Sequence, residues 1–222
     1  MAAQGKQGRV YGGLSSADRE AQRRQSLLDA AIDLLVAGEK LTVRGVCART
    51  GLTSRYFYEN FRSTDELAET AYNTCVAELA MAVTEAFDAP SGLESQIANA
   101  MSVLVTSLEA NQRAAHILFS HRISNPLISR KRQESTAFFA QITAITAGDA
   151  APPGIDAVQA AHFVVGGVTQ LLSVWLNEGD KKSDDDDDNA GPAPLDGPAV
   201  AELATTMITA LATQLAGGQE TA

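Results

Sequence analysis

The sequence predicts an all-α fold, and three observations carry that prediction. Apolar residues recur at helical spacing wherever a period is legible, and no segment alternates as a half-buried strand would. Capping residues and breakers divide the chain into about nine helical stretches. Between Leu41 and Phe61, two of these stretches are short and joined by a tight turn, the layout of a helix-turn-helix. There is no internal repeat that would suggest a solenoid.

Residues 1–14 are Gly-rich and poor in apolar side chains, which predicts a flexible tail. Ser15 and Asp18 form a capping signal for a first helix to about Ala37. Leu28, Ala31, Ile32 and Leu35 give it an apolar stripe, and Gly38 supplies the stop. Thr42 is a good N-cap for the second helix, whose buried face is Val43, Val46, Cys47 and Thr50; Arg44 and Arg49 fall off that face. Gly51 can adopt the positive φ that the turn needs. Thr53 caps a very short third helix, with Leu52, Phe57 and Phe61 on its core side. Ser54, Arg55, Tyr56, Tyr58 and Glu59 are left to face outward.

Ser63 and Glu66 read as a capping box that starts a long helix to about Phe87. After a Pro-Ser-Gly break, helices are predicted over about Leu93–Ala110, Arg113–His121 and Pro126–Ala147. A Pro/Gly loop over 150–154 precedes a strongly apolar helix from Ile155 to Asn177. Residues 179–197, with five consecutive aspartates, predict a solvated acidic loop before the last helix, about Pro198–Leu215. The organisation is a tail (1–14), a head (15–66) and a helical body (67–217).

Charge separates head from body. Residues 1–62 carry ten Lys/Arg against six Asp/Glu, whereas residues 63–222 carry seven against twenty-one. A basic head can approach phosphate and an acidic body repels it. An exposed basic and aromatic second helix in a helix-turn-helix suits the DNA major groove. No run of 18 apolar residues and no N-terminal apolar segment is present, so neither a membrane span nor a secretory signal is expected. Cys47 and Cys75 fit a reduced, cytoplasmic setting.

Enzyme and metal chemistry find little footing. His116 and His121 are five apart, not the four of a helical zinc pair, and the cysteines have no His partner pattern. Phosphate-binding glycine loops and the nucleophile elbow are missing, and Asp184–Asp188 lacks the spaced ligands of a calcium loop. The expectation is a non-enzyme with no metal and no cofactor.

The segments Ser26-Leu-Leu-Asp-Ala-Ala31, Gly38, Leu41-Thr-Val-Arg44, Gly51-Leu52, Phe57-Tyr58, Phe61 and Ser63-x-Asp-Glu-Leu67 together resemble the head of the TetR (tetracycline-repressor) family of transcription regulators. The resemblance covers roughly residues 22–70; beyond it only the number, order and length of helices match. It implies a DNA-binding head on a helical ligand-binding and dimerisation body. By position, Thr42 would cap onto a phosphate, Arg44 would reach a base or phosphate, Ser54, Arg55 and Tyr56 would read base edges, and Tyr58 would bind phosphate. Thr53, Asn60 and Thr64 complete the expected DNA-contacting set. Asn60 stands where the family often has His, and Thr64 where it usually has a phosphate-binding Lys; Arg62 is the nearby cation that can compensate.

The resemblance also implies that the last two long helices pair across a twofold homodimer. The expected interface is Gly167, Gln170, Leu171 and Val174 on one helix with Leu203, Met207 and Leu211 on the other. The effector pocket is expected among helices spanning about 67–177, with His116, Phe119, His121, Phe138, Phe139, His162 and Trp175 as candidate liners. The partners expected are a palindromic double-stranded DNA operator, a small apolar or amphipathic effector and a second copy of the chain, without a membrane. The reading is a dimeric repressor released by its effector. The alternatives are an activator or ligand-independent DNA-binding protein with the same head, an enzyme with a helical body, and a plain helical oligomerisation module.

Overall fold

Among the residues that the computed structural model describes (15–88, 92–147, 156–181 and 195–217), the chain forms nine α-helices and no strand. The all-α expectation holds. The expected tail 1–14, the loop 150–154 and the aspartate run 184–188 lie outside the described residues.

Local capping chemistry sets the first elements. Helix α1 (Ser16–Val36) opens on a reciprocal capping box: Asp18 N–H donates to Ser15 Oγ at 3.1 Å, and Ser15 N–H donates to the Asp18 carboxylate at 2.9 Å. Helix α2 (Val43–Thr50) starts where Gly45 N–H donates to Thr42 Oγ1 at 3.0 Å. It ends at Gly51, whose φ of 70° is left-handed backbone that a side chain would strain. Helix α3 (Ser54–Asn60) follows. Its expected cap is absent: the Thr53 hydroxyl makes no capping hydrogen bond, although Thr53 backbone is extended as an N-cap should be.

Helix α4 (Thr64–Phe87) is capped by Ser63, which accepts from Glu66 N–H at 3.1 Å. The expected box does not close on itself, because the Glu66 carboxylate accepts from Arg62 N–H, at 2.7 Å, one residue earlier. The remaining helices are α5 (Leu93–Ala110), α6 (Gln112–Phe119), α7 (Pro126–Ala147), α8 (Ala157–Lys181) and α9 (Gly197–Gly217). Two boundaries differ from the sequence expectation. Helix α8 continues past Asn177 to Lys181, because no proline stops it and one glycine costs only about 1 kcal/mol. Residues 179–181 of the expected loop 179–197 are therefore helical, and Gly197 already belongs to α9.

Helix α6 stops at Phe119, two residues short of the predicted His121. Two side chains from other helices take up its terminal carbonyls. Arg132 of α7 donates to His116 O at 3.0 Å and to Ile117 O at 2.7 and 3.0 Å, and Ser173 of α8 donates to Phe119 O at 2.8 Å. These bonds replace a further turn of helix.

One core runs through Leu27, Leu34, Val46, Phe57, Phe61, Leu67, Tyr72, Ile117 and Ile128, so it joins the head to α4, α6 and the start of α7 without a break at residue 66. A second joins Leu104 and Leu108 of α5, Ala115 of α6, Leu172 of α8 and Val200 of α9. In a third, Ala140, Ala144 and Ala161 hold α7 against α8. The segment Ala157–Asn177 is long and apolar enough to cross a bilayer, but here it packs against α6, α7 and α9.

Cys75 is buried on α4, and that burial pushes its thiol up to about 11, with the Glu78 carboxylate adding to the rise. Unfolded, the thiol would ionise near its usual value of about 8.5. The folded chain therefore holds this proton longer. The contribution to stability is complete below the ordinary thiol range and is lost as pH rises toward about 11. Thiol labelling of native protein at pH 8 should modify half-buried Cys47 well before Cys75. Equal labelling rates mapped by mass spectrometry would contradict this burial.

Candidate nucleic-acid interface

The α2–Gly51–α3 unit sends one face inward and one outward. Val46 and Phe57 are fully buried and pin the two helices to α1 and α4. What remains outside is Arg44 on α2, Thr53 at the turn, and Ser54, Arg55, Tyr56, Tyr58 and Glu59 on α3. Tyr58 is 61% exposed, although it stacks edge-on against Phe57 with ring centroids 5.3 Å apart. Arg44 makes no ion pair among the described residues, which leaves its charge available for an anion.

The Arg55 side chain is 86% exposed. Its Nε donates to Glu59 Oε1 at 2.9 Å, one helical turn along, and this bond raises the guanidinium pKa. Asn60 takes another role. Its Nδ2 donates back to Tyr56 O at 2.9 Å, and its own carbonyl accepts from Arg24 at 3.4 Å. Half-buried Thr64 is the first residue of α4, beside exposed Arg62. The Thr42 hydroxyl oxygen accepts from Gly45 N–H in the α2 cap, which leaves its own proton to donate.

Two arginines of α1 escaped the sequence reading. The Arg23 guanidinium lies 5.0 Å from the centre of the Tyr56 ring, and that of Arg24 lies 4.5 Å from Phe61. They brace α3 from behind and add positive charge beside it. The available signal was an Arg pair one turn ahead of the α1 apolar stripe. Arg49 is not free in the same way: it pairs with Glu39 at 3.2 Å and reaches Asp33 at 4.0 Å.

Asp33 also joins the head to the body. Its other oxygen accepts from Arg113 of α6 at 2.8 Å, and Arg113 lies 3.7 Å from Asp29. A cavity of about 100 Å³ sits at this seam, lined by Leu28 and Ile32 of α1, Thr74 and Cys75 of α4, and Asn111 and Arg113 around the start of α6.

The expected pocket residues are scattered. Phe119 packs against the first two cores and Trp175 against the second. His116 is half-buried on α6, and Phe139 is half-buried with its ring 5.7 Å from that of Phe138. His121, Phe138 and His162 are exposed. None of the seven lines the seam cavity or the open depression along α4 formed by Ala80, Met81, Thr84, Glu85 and Asp88. Among the described residues, no three His, Cys, Asp or Glu side chains converge to hold a metal ion.

The expected interface residues do share surfaces. On α8, Gly167, Gln170 and Val174 are exposed, continuing a line from Phe163, which is 70% exposed. Leu171 is half-buried beside them. On α9, Leu203 and Met207 are exposed and Leu211 is half-buried. A Cβ added at Gly166 or Gly167 would meet nothing within 4 Å in the single chain.

No protein-family model matches the sequence, and no curated protein sequence does. Solved structures do match the fold. A TetR-like transcriptional regulator from Rhodococcus sp. RHA1 gives a TM-score of 0.63 at 15% identity, over 90% of this chain and 99% of that one. A TetR-family transcriptional regulator from Syntrophomonas wolfei gives 0.68 at 12% identity, over 87% and 96%. The transcriptional regulator FadR from Bacillus subtilis, in complex with stearoyl-CoA, gives 0.59 at 16% identity, over 83% and 96%. The chain has the all-α fold of TetR-like transcriptional regulators.

Proposed function

We propose that this chain is a TetR-type transcriptional repressor that binds a palindromic operator as a homodimer and leaves it when a small amphipathic effector enters the body. The carrying observation is the outward face of the helix-turn-helix, where Arg44, Ser54, Arg55, Tyr56 and Tyr58 stand exposed on a rigidly buried base. Arg55 and Ser54 have the donors to read base edges, and Tyr58, Arg44 and the unengaged Thr53 hydroxyl suit phosphate. The acidic body keeps its distance from DNA, so the basic head leads the approach.

One head covers too few base pairs to specify a site. Two heads about 34 Å apart would read successive major grooves. The apolar faces of α8 and α9 support the dimer, because Phe163, Val174, Leu203 and Met207 are costly to leave in water. Gly167 tests this directly. In a lone helix, filling an exposed glycine stabilises by up to about 1 kcal/mol. If a partner helix lies against Gly167, a larger side chain pushes it away. Gly167→Leu should therefore shift the protein toward monomer in sedimentation while its helical content stays unchanged. A dimer as strong as the wild type's would remove α8 from the interface.

Stearoyl-CoA in the FadR neighbour supports an amphipathic compound here. Such a compound would act only by binding one arrangement of the heads better than the other. The Arg113–Asp33–Arg49 chain of ion pairs offers a route from α6 to α2 for that difference. Selection of bound sequences from a random DNA pool at about 0.15 M salt tests the dimeric DNA-binding core of the proposal. A palindrome with half-sites one helical turn apart is the expected product, and a pool without enrichment overturns it.

A further inference from the structure

We propose that Arg55 and Glu59 act as one reading unit that selects a guanine and, on the neighbouring base pair, a cytosine. This rests on the DNA-binding reading of the head. The two residues stand one turn apart on α3, with Arg55 Nε donating to Glu59 Oε1 at 2.9 Å, and both side chains face solvent. That bond uses Nε and leaves the two terminal nitrogens of the guanidinium as a fork. The fork matches guanine O6 and N7.

Glu59 Oε2 has no partner among the described residues. It belongs to the carboxylate that accepts from Arg55 Nε at 2.9 Å, so it lies beside the fork, and successive base pairs stack about 3.4 Å apart. In the major groove a carboxylate is attracted to base donors and repelled by base acceptors. Guanine presents acceptors there, and thymine an acceptor and a methyl group. Adenine offers N6–H beside the N7 acceptor, whereas cytosine offers N4–H without an adjacent acceptor. Cytosine is therefore the base this oxygen prefers. The arginine also offsets the carboxylate's repulsion from phosphate, so the pair enters the groove without net charge.

The experiment is sequence selection from a random pool with the full-length wild type, Glu59→Gln and Glu59→Ala. The wild type should enrich guanine with cytosine at the adjacent pair in each half-site. Glu59→Gln should keep the guanine and change the neighbour to adenine, because a glutamine amide pairs with adenine N6 and N7; its preference between the two sites should reverse by roughly tenfold. Glu59→Ala should keep the guanine and lose the neighbour's preference. If both variants select the wild-type motif and only bind all DNA more tightly, Glu59 merely repels phosphate and the unit is overturned. If the wild type itself enriches nothing, the DNA-binding reading fails, and this inference fails with it.

Discussion

Arg55→Ala is expected to weaken operator binding at least thirty-fold while leaving the fold intact. A bidentate contact to guanine discriminates by about 1–3 kcal/mol, and a palindrome read by two heads counts it twice, for about 2–6 kcal/mol. The fold should not suffer, because the Arg55 side chain is 86% exposed and its one ion pair, to Glu59, lies on the surface. The loss should be selective. The enriched motif should relax at one position per half-site, and the unpaired Glu59 carboxylate should add a smaller loss on all sequences. Tyr58→Phe makes the contrast. Removing its phosphate-facing hydroxyl should weaken binding to all sequences by a similar factor and leave the motif unchanged. Fluorescence anisotropy with matched and mismatched duplexes separates the two patterns. Unchanged affinity in Arg55→Ala would remove α3 from the groove.

Phe57→Ala should have the largest effect on stability, about 3–5 kcal/mol. The ring is fully buried, with the Tyr58 ring at 5.3 Å and the Phe61 ring at 6.2 Å. Its loss opens a cavity between α3 and the helices behind it. Domains of this kind are held by only about 5–15 kcal/mol in all, so the head would lose much of its margin. The same core continues into α4, α6 and α7, so the loss should spread beyond the head. Urea unfolding gives the magnitude, and hydrogen exchange of the α6 amides reports the spread. A cost below about 1 kcal/mol would mean that the core closes over the gap.

The head was legible because its signals are local. Ser15 with Asp18, Thr42 before Val43 and Gly51 at the turn each act within four residues, and the structure keeps all three. The inward set Val46, Phe57 and Phe61 follows from helical spacing, which leaves Arg55 and Tyr58 outside. Where local chemistry had two solutions, the sequence misled. Glu66 could bond either of two adjacent N–H groups and takes that of Arg62. Thr53 looks like a cap but leaves its hydroxyl unengaged.

By itself, then, the sequence determined the helices, their order and the two faces of the helix-turn-helix, because capping and amphipathic period are properties of neighbours along the chain. The tertiary structure alone decided where α6 stops, since Arg132 and Ser173 reach its carbonyls from distant helices. It also decided that Arg113 meets Asp33 across 80 residues, and that Arg23 comes to rest on Tyr56. It left the Gly167 face of α8 open. No period marks such meetings: a polar side chain finds its partner only after the apolar faces have packed and brought remote surfaces together.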